Sequence, residues 1–273
     1  MRALVKRRAR KRPHRVEHSP ERRGGRDADV RQYSLAQILA VWAAAAVPMG
    51  VLAWVVAPWL SDQLGGDEPL TQALLLLLTA GLVWQFLLVL ILTRHELGSL
   101  RWSRVRDALW LRPPRDPRTG RVGGRVWWWV LPFLVLFGLE QVLPGITGPV
   151  SRDFGEFLGS DRGQEFFQGA WGWFAVEVVL VVFNTVLGEE LLFRGLLLPR
   201  MRGVFGRGDF VANGVLFAVY HLHIPWVIPT ALVDILALAY PSRRFQSAWM
   251  GIIVHSAQSV FAVVFVLTFV LAQ

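Results

Sequence analysis

Two adjacent carboxylates and an arginine interrupt an apolar run at residues 186–198, "VLGEELLFRGLLL": Glu189, Glu190 and Arg194. Glu190 and Arg194 are spaced i, i+4 with the acid first, the favourable order for an ion pair on a helix. Glu189 points about 100° away from Glu190 on the same helix and is left free for other work. Two further stretches carry proton-transfer groups. In "NGVLFAVYHLHIPW", Phe217 and His221 are i and i+4, so one ring can pack on the other. In "SAWMGIIVHSAQSV", His255 is followed at i+4 by Ser259 and at i+3 by Gln258. A free carboxylate, two imidazoles and a supporting ion pair are the parts needed to activate water and to stabilise an oxyanion.

The elements that must position these groups are membrane helices. The chain has 273 residues, 53% of them hydrophobic, too apolar for an ordinary soluble domain. There is no cysteine, which excludes disulfides, thiolate catalysis and Cys-based metal sites. Seven apolar runs approach the length needed to span a bilayer: about 35–60, 69–93, 126–144, 170–199, 208–224, 225–241 and 246–272. The fifth and sixth are short and meet at Pro225, as two shortened helices or one broken pair. The expected fold is an all-α transmembrane bundle of about seven spans. Residues 1–34 form a basic, disordered tail, residues 35–144 the N-terminal helices with a basic loop at 94–125, and residues 170–272 a core carrying the chemistry.

The net charge of +9 is concentrated. Residues 1–34 hold 12 Lys/Arg against 4 acids, and residues 94–125 hold 9 Arg against 3 acids. Beside membrane spans such runs face the cytosol and anionic lipid headgroups, so no nucleic-acid partner is expected. The loops at 61–68 and 145–169 are acidic and fall outside. Seven spans, with the N-terminus cytoplasmic and the C-terminus outside, satisfy every loop. Within the second basic loop, "ELGSLRWSRVRDALWL" has the periodicity of a helix lying flat on the interface or of an ordinary amphipathic linker. "VWWWV" at 126–130 reads as an aromatic belt. Arg outnumbers Lys 27 to 2, in keeping with a GC-rich bacterial genome and a bacterial plasma membrane.

A helix rises about 1.5 Å per residue, which places Glu189, His221 and His255 at comparable depth on three spans. A charge at mid-bilayer costs about 2.5–3.5 kcal/mol, so such groups usually face the bundle interior and usually work. Each group also has a plainer reading. Glu189 and Glu190 could mark the cytosolic end of a shorter span, and the two histidines could be hydrogen-bonded packing groups. His223 is expected at the interface and Asn184 as a packing partner, while Glu177 and Asp234 are either interhelical hydrogen-bond partners or cavity residues.

Taken in order, EExxxR, FxxxH and a later HxxxN-like motif resemble the CPBP family of intramembrane proteases, which includes the CAAX prenyl-protein endopeptidases and bacterial Abi-type proteins. The matching residues are Glu189, Glu190 and Arg194; Phe217 and His221; and His255 with Ser259. The resemblance covers roughly residues 170–265. It implies glutamate-dependent hydrolysis of peptide bonds in membrane-associated substrates, at a site opening toward the cytosol. On that analogy Glu189 and His221 position and deprotonate water, His255 and its i+4 neighbour stabilise the oxyanion, and Glu190 and Arg194 hold the site together. Family members are often called metalloproteases. A divalent ion such as zinc on Glu189, His221 and His255 fits the residue types, but HExxH is absent and metal-free water activation is favoured. Ser259 stands where the family has Asn, so Ser259 substitutes, Gln258 takes the role, or the oxyanion site is weakened. Two other readings stay open: a non-catalytic membrane scaffold or chaperone on the same fold, and a small proton-coupled transporter, for which no inverted repeat is visible.

Overall fold

The computed structural model describes residues 30–272, and among them every regular element is helical. Most of the expected basic tail, residues 1–29, lies outside the described residues. Its last residues do not behave as a tail. Tyr33 is buried, its amide donates to the Arg200 carbonyl, and its hydroxyl donates to Glu96. Burial and that bond to a carboxylate push the Tyr33 hydroxyl well above the ordinary phenol range. Arg200 completes the knot with a 2.7 Å ion pair to Glu96 and with bonds to the carbonyls of Ala108 and Leu196.

Seven principal helices follow: α1 (Leu35–Ser61), α2 (Pro69–Leu97), α3 (Val130–Glu140), α4 (Trp171–Arg200), α5 (Asp209–Tyr220), α6 (Ile235–Phe245) and α7 (Ala248–Leu271). Local chemistry sets their ends. Ser34 and Gln37 form a capping box at the start of α1. Pro69 opens α2 and Gly98, at φ +66°, closes it.

Among the described residues three helices, α1, α2 and α7, are long and apolar enough to cross a membrane, or up to five if each bent helix pair counts as one span. The seven spans expected from hydropathy are not confirmed. The third, fifth and sixth runs fall short, α3 having 11 residues. Helix α5 has 12 residues and rises only about 18 Å, short of a ~30 Å hydrocarbon layer. It stops at His221, and the chain turns through Pro225–Ala231 and bends 53° into α6. The result is a broken hairpin whose two ends meet on one face, where Arg243 pairs with Asp209 at 2.6 Å.

That face also carries the Arg-rich loop 94–125, tied down by bonds from Arg115 N–H to the Phe245 carbonyl and from the Ser247 hydroxyl to the Arg112 carbonyl. In that loop the amphipathic stretch forms a short helix, Trp102–Ala108, with Val105 and Ala108 buried and Trp102 exposed. Trp128 and Trp129, just before α3, are exposed, as a belt requires. On the opposite face, Glu68 pairs with Arg162 at 2.6 Å, and Arg152 donates to the Ala53 carbonyl and lies over Trp54. The tip of the hairpin reaches this side, where Trp54 Nε1 donates to the Leu222 carbonyl.

Candidate active site

Helix α4 runs unbroken from Trp171 to Arg200, but it is not an ordinary α-helix. Its turns widen to π geometry at Phe183–Gly188 and again at Leu191–Leu197. Such wide turns are rare and gather at functional sites. Glu189 and Glu190 sit between the two. Gly188 lets this stretch approach α2: a Cβ there would lie 2.6 Å from the Phe183 carbonyl oxygen and 3.2 Å from that of Leu82.

The three sequence motifs meet around the Phe217 ring. Arg194 lies over its face at 4.1 Å, His221 packs edge-on at 4.9 Å, and His255 at 6.0 Å. Arg194 and Glu190 are both fully buried and form the i, i+4 pair at 3.1 Å. Glu190 does more than pair with Arg194: its Oε1 also lies 3.1 Å from His255 Nδ1. One carboxylate thus joins α4 to α7. Glu189 is 2% exposed and its Oε2 has no hydrogen-bond partner. The Tyr220 hydroxyl lies beside it and accepts a 2.6 Å bond from Gln85 Nε2. His221 sits at the end of α5, with Nδ1 3.0 Å from the Phe217 carbonyl. A carbonyl can only accept, so Nδ1 carries the proton and Nε2 of the neutral ring is an acceptor.

The remaining expected residues are nearby but otherwise engaged. Ser259 donates to Thr185 Oγ1 at 3.1 Å, and Gln258 donates to Gln141 at 3.2 Å. Both line a cavity of about 530 Å³ between α2, α4, α7 and the segment Val150–Leu158. The cavity lies toward the face away from the Arg-rich loop, the loop expected to be cytosolic. Asn184, expected to pack, lines it too, and so does His223, which is buried rather than interfacial. Asp234 is buried beside Glu140 of α3, its carboxyl sharing a hydrogen bond with that of Glu140. Glu177 is fully buried with neither carboxyl oxygen partnered, so of its two readings the hydrogen-bonded helix partner is not seen.

No group of three or more His, Asp or Glu side chains among the described residues could hold a metal ion. His221 and His255 pack on one aromatic ring and form no ligand set with Glu189, so the metal-centred arrangement does not fit this geometry.

Sequence reasoning missed Tyr220, Gln85, Thr185 and Gly251. Gln85 was the visible signal, a lone amide inside the apolar run of α2. Gly251 is required by close approach. A Cβ at this position of α7 would lie 2.4 Å from Glu190 Oε2 and 2.9 Å from Ser242 Oγ, which accepts the Gly251 N–H. Gly251→Ala is expected to destabilise the protein by about 1–3 kcal/mol, the usual range for overpacking. Thermal unfolding of the variant in detergent checks this, and an unchanged midpoint would mean that α7 can retreat freely.

Residues 171–261 match the family model described as Rce1-like, Type II CAAX prenyl endopeptidase Rce1-like. No curated protein and no solved structure is detectably similar to the chain. The matched segment begins with α4, takes in the hairpin and ends in α7, and so contains Glu189, Glu190, Arg194, Phe217, His221, His255 and Ser259. This third of the chain, from Trp171 to Phe261, is similar to the Rce1-like type II CAAX prenyl endopeptidases.

Proposed function

We propose that the protein is an intramembrane endopeptidase that hydrolyses peptide bonds of membrane-associated substrates by metal-free activation of water. The observation that carries this reading is Glu189 Oε2, a buried carboxylate oxygen with no partner, beside a cluster that contains its own counter-charge. Glu189 takes a proton from water as the oxygen attacks the peptide carbonyl. His221 Nε2 accepts a hydrogen bond from the same water and orients it. The carbonyl C–N bond then breaks, and the proton passes to the leaving amine. His255, its ring held at Nδ1 by Glu190, turns its Nε2 edge to the oxyanion. Ser259 has its one hydroxyl proton on Thr185 Oγ1 and must leave that bond to serve as a second donor.

The test is cleavage of a bilayer-spanning peptide by the purified protein in liposomes, read by mass spectrometry. Cleavage with and without a strong chelator is expected at the same rate, within about twofold, because the geometry offers no three-ligand site. Loss of activity that zinc restores would overturn the metal-free mechanism.

The engagement of Ser259 favours one second reading, a non-catalytic scaffold on the same fold. It predicts that wild type and Glu189→Gln are equivalent in every cellular assay.

A further inference from the structure

Three histidines lie within one neighbourhood, but only His223 borders the 530 Å³ cavity. A cavity of that size is in the range that takes a ligand chain rather than isolated waters. Apolar side chains form most of its walls, among them Leu75, Leu78, Phe261 and Phe265. Its polar lining includes the Ser151–Asp153 segment and, on the elements that carry the catalytic groups, His223 on the hairpin, Asn184 five residues before Glu189, and Ser259 one turn after His255. An extended peptide with apolar side chains has this pattern of need. Its side chains can contact the walls, while its backbone carbonyls must find donors or remain unsatisfied in a low-dielectric space.

His223 is built to serve such a carbonyl. Its ring is 8% exposed, and it is stacked on His221 with centroids 5.6 Å apart and packed edge-on against Tyr220 at 5.5 Å. Its Nδ1 lies by the Tyr220 carbonyl without the alignment of a hydrogen bond, and that carbonyl already accepts the Leu222 N–H at 2.7 Å. The ring is therefore positioned by aromatic contacts and has hydrogen-bonding capacity unspent. Through Tyr220 it is one side chain removed from Glu189.

We propose that His223 is a substrate-binding residue that donates a hydrogen bond to a backbone carbonyl of an apolar peptide segment lying in this cavity. The segment enters from the face opposite the Arg-rich loop, so the chain bound is one with an apolar stretch within the bilayer. The inference rests on the hydrolase reading for its purpose but not for its test.

The test is binding to the full-length Glu189→Gln protein in nanodiscs. The probe is a fluorescein-labelled peptide with an apolar segment of about 20 residues. His223→Ala on that background is expected to raise Kd about tenfold, the loss of one hydrogen bond. His223→Asn, which keeps an amide donor, is expected to come back within about threefold. Ala262→Trp, which narrows the cavity from α7 and touches none of the catalytic cluster, is expected to raise Kd by at least tenfold. In the cleaving protein His223→Ala is expected to raise KM by the same factor and leave kcat within twofold. No measurable binding, or an unchanged Kd in either His223→Ala or Ala262→Trp, would overturn the proposal. So would a fall in kcat with KM unchanged. Wild-type protein that binds the peptide but does not cleave it would sink the hydrolase reading and leave the binding role of His223 intact.

Discussion

Glu189→Gln is expected to lower kcat by about 10²–10⁴ while leaving the fold intact, the range for loss of a general base. The substitution keeps the side-chain volume. It also removes no hydrogen bond from Oε2, because that oxygen has none. The neighbours of Glu189 keep their partners: Glu190 holds Arg194 and His255, Gln85 donates to Tyr220, and the amide oxygen of the substituted side chain can still accept the Tyr220 hydroxyl. A structural role for Glu189 would show as a lower melting temperature with activity reduced in proportion. A catalytic role shows as unchanged melting with activity gone. Cleavage within tenfold of wild type would remove Glu189 from the mechanism.

The second large effect belongs to Arg194. It is fully buried and is the counter-charge for Glu190, beside which Glu189 is also buried, with Asp234 close behind. Arg194→Leu leaves that cluster of carboxylates without its cation. Breaking a buried ion pair from one side costs about 3–5 kcal/mol. A large drop in the unfolding midpoint in detergent is expected, and loss of the expressed protein from membranes if the margin is small. Removing the stranded partner as well should help, so Arg194→Leu combined with Glu190→Gln is expected to be more stable than Arg194→Leu alone. If the double variant is the less stable of the two, the pair is not the dominant interaction of Arg194. The 4.1 Å contact with Phe217 would then be the term to examine.

The local half of this site could be read from the chain. Glu190 and Arg194 are four residues apart, and helical spacing alone brings them together. Phe217 and His221 follow the same rule. The bond from His255 to Glu190 joins residues 65 positions apart, and no periodicity reports it. Tyr220 and Gln85 are equally remote. His223 was misplaced for a different reason. It follows His221 by two residues and precedes Pro225, which reads as a helix leaving the membrane. In fact α5 ends at His221 inside the bundle, and the turn that carries His223 is covered by its surroundings. Hydropathy measures how apolar a run is, not how deep it goes, so two half-length helices of a hairpin look like two spans. The end of the tail was missed because burial of Tyr33 depends on Glu96 and Arg200, both distant in sequence.

The closed base of the hairpin has a consequence for parity. Asp209 and Arg243 touch, so the chain between them leaves one face of the bundle and comes back to it. Whether that excursion is scored as two crossings or as none, it adds an even number. The side from which the chain enters α7 is therefore the same whether the hairpin crosses fully or not. Reporters fused at the two ends of the chain cannot tell those cases apart, whereas a label at the hairpin tip, near Trp226, can.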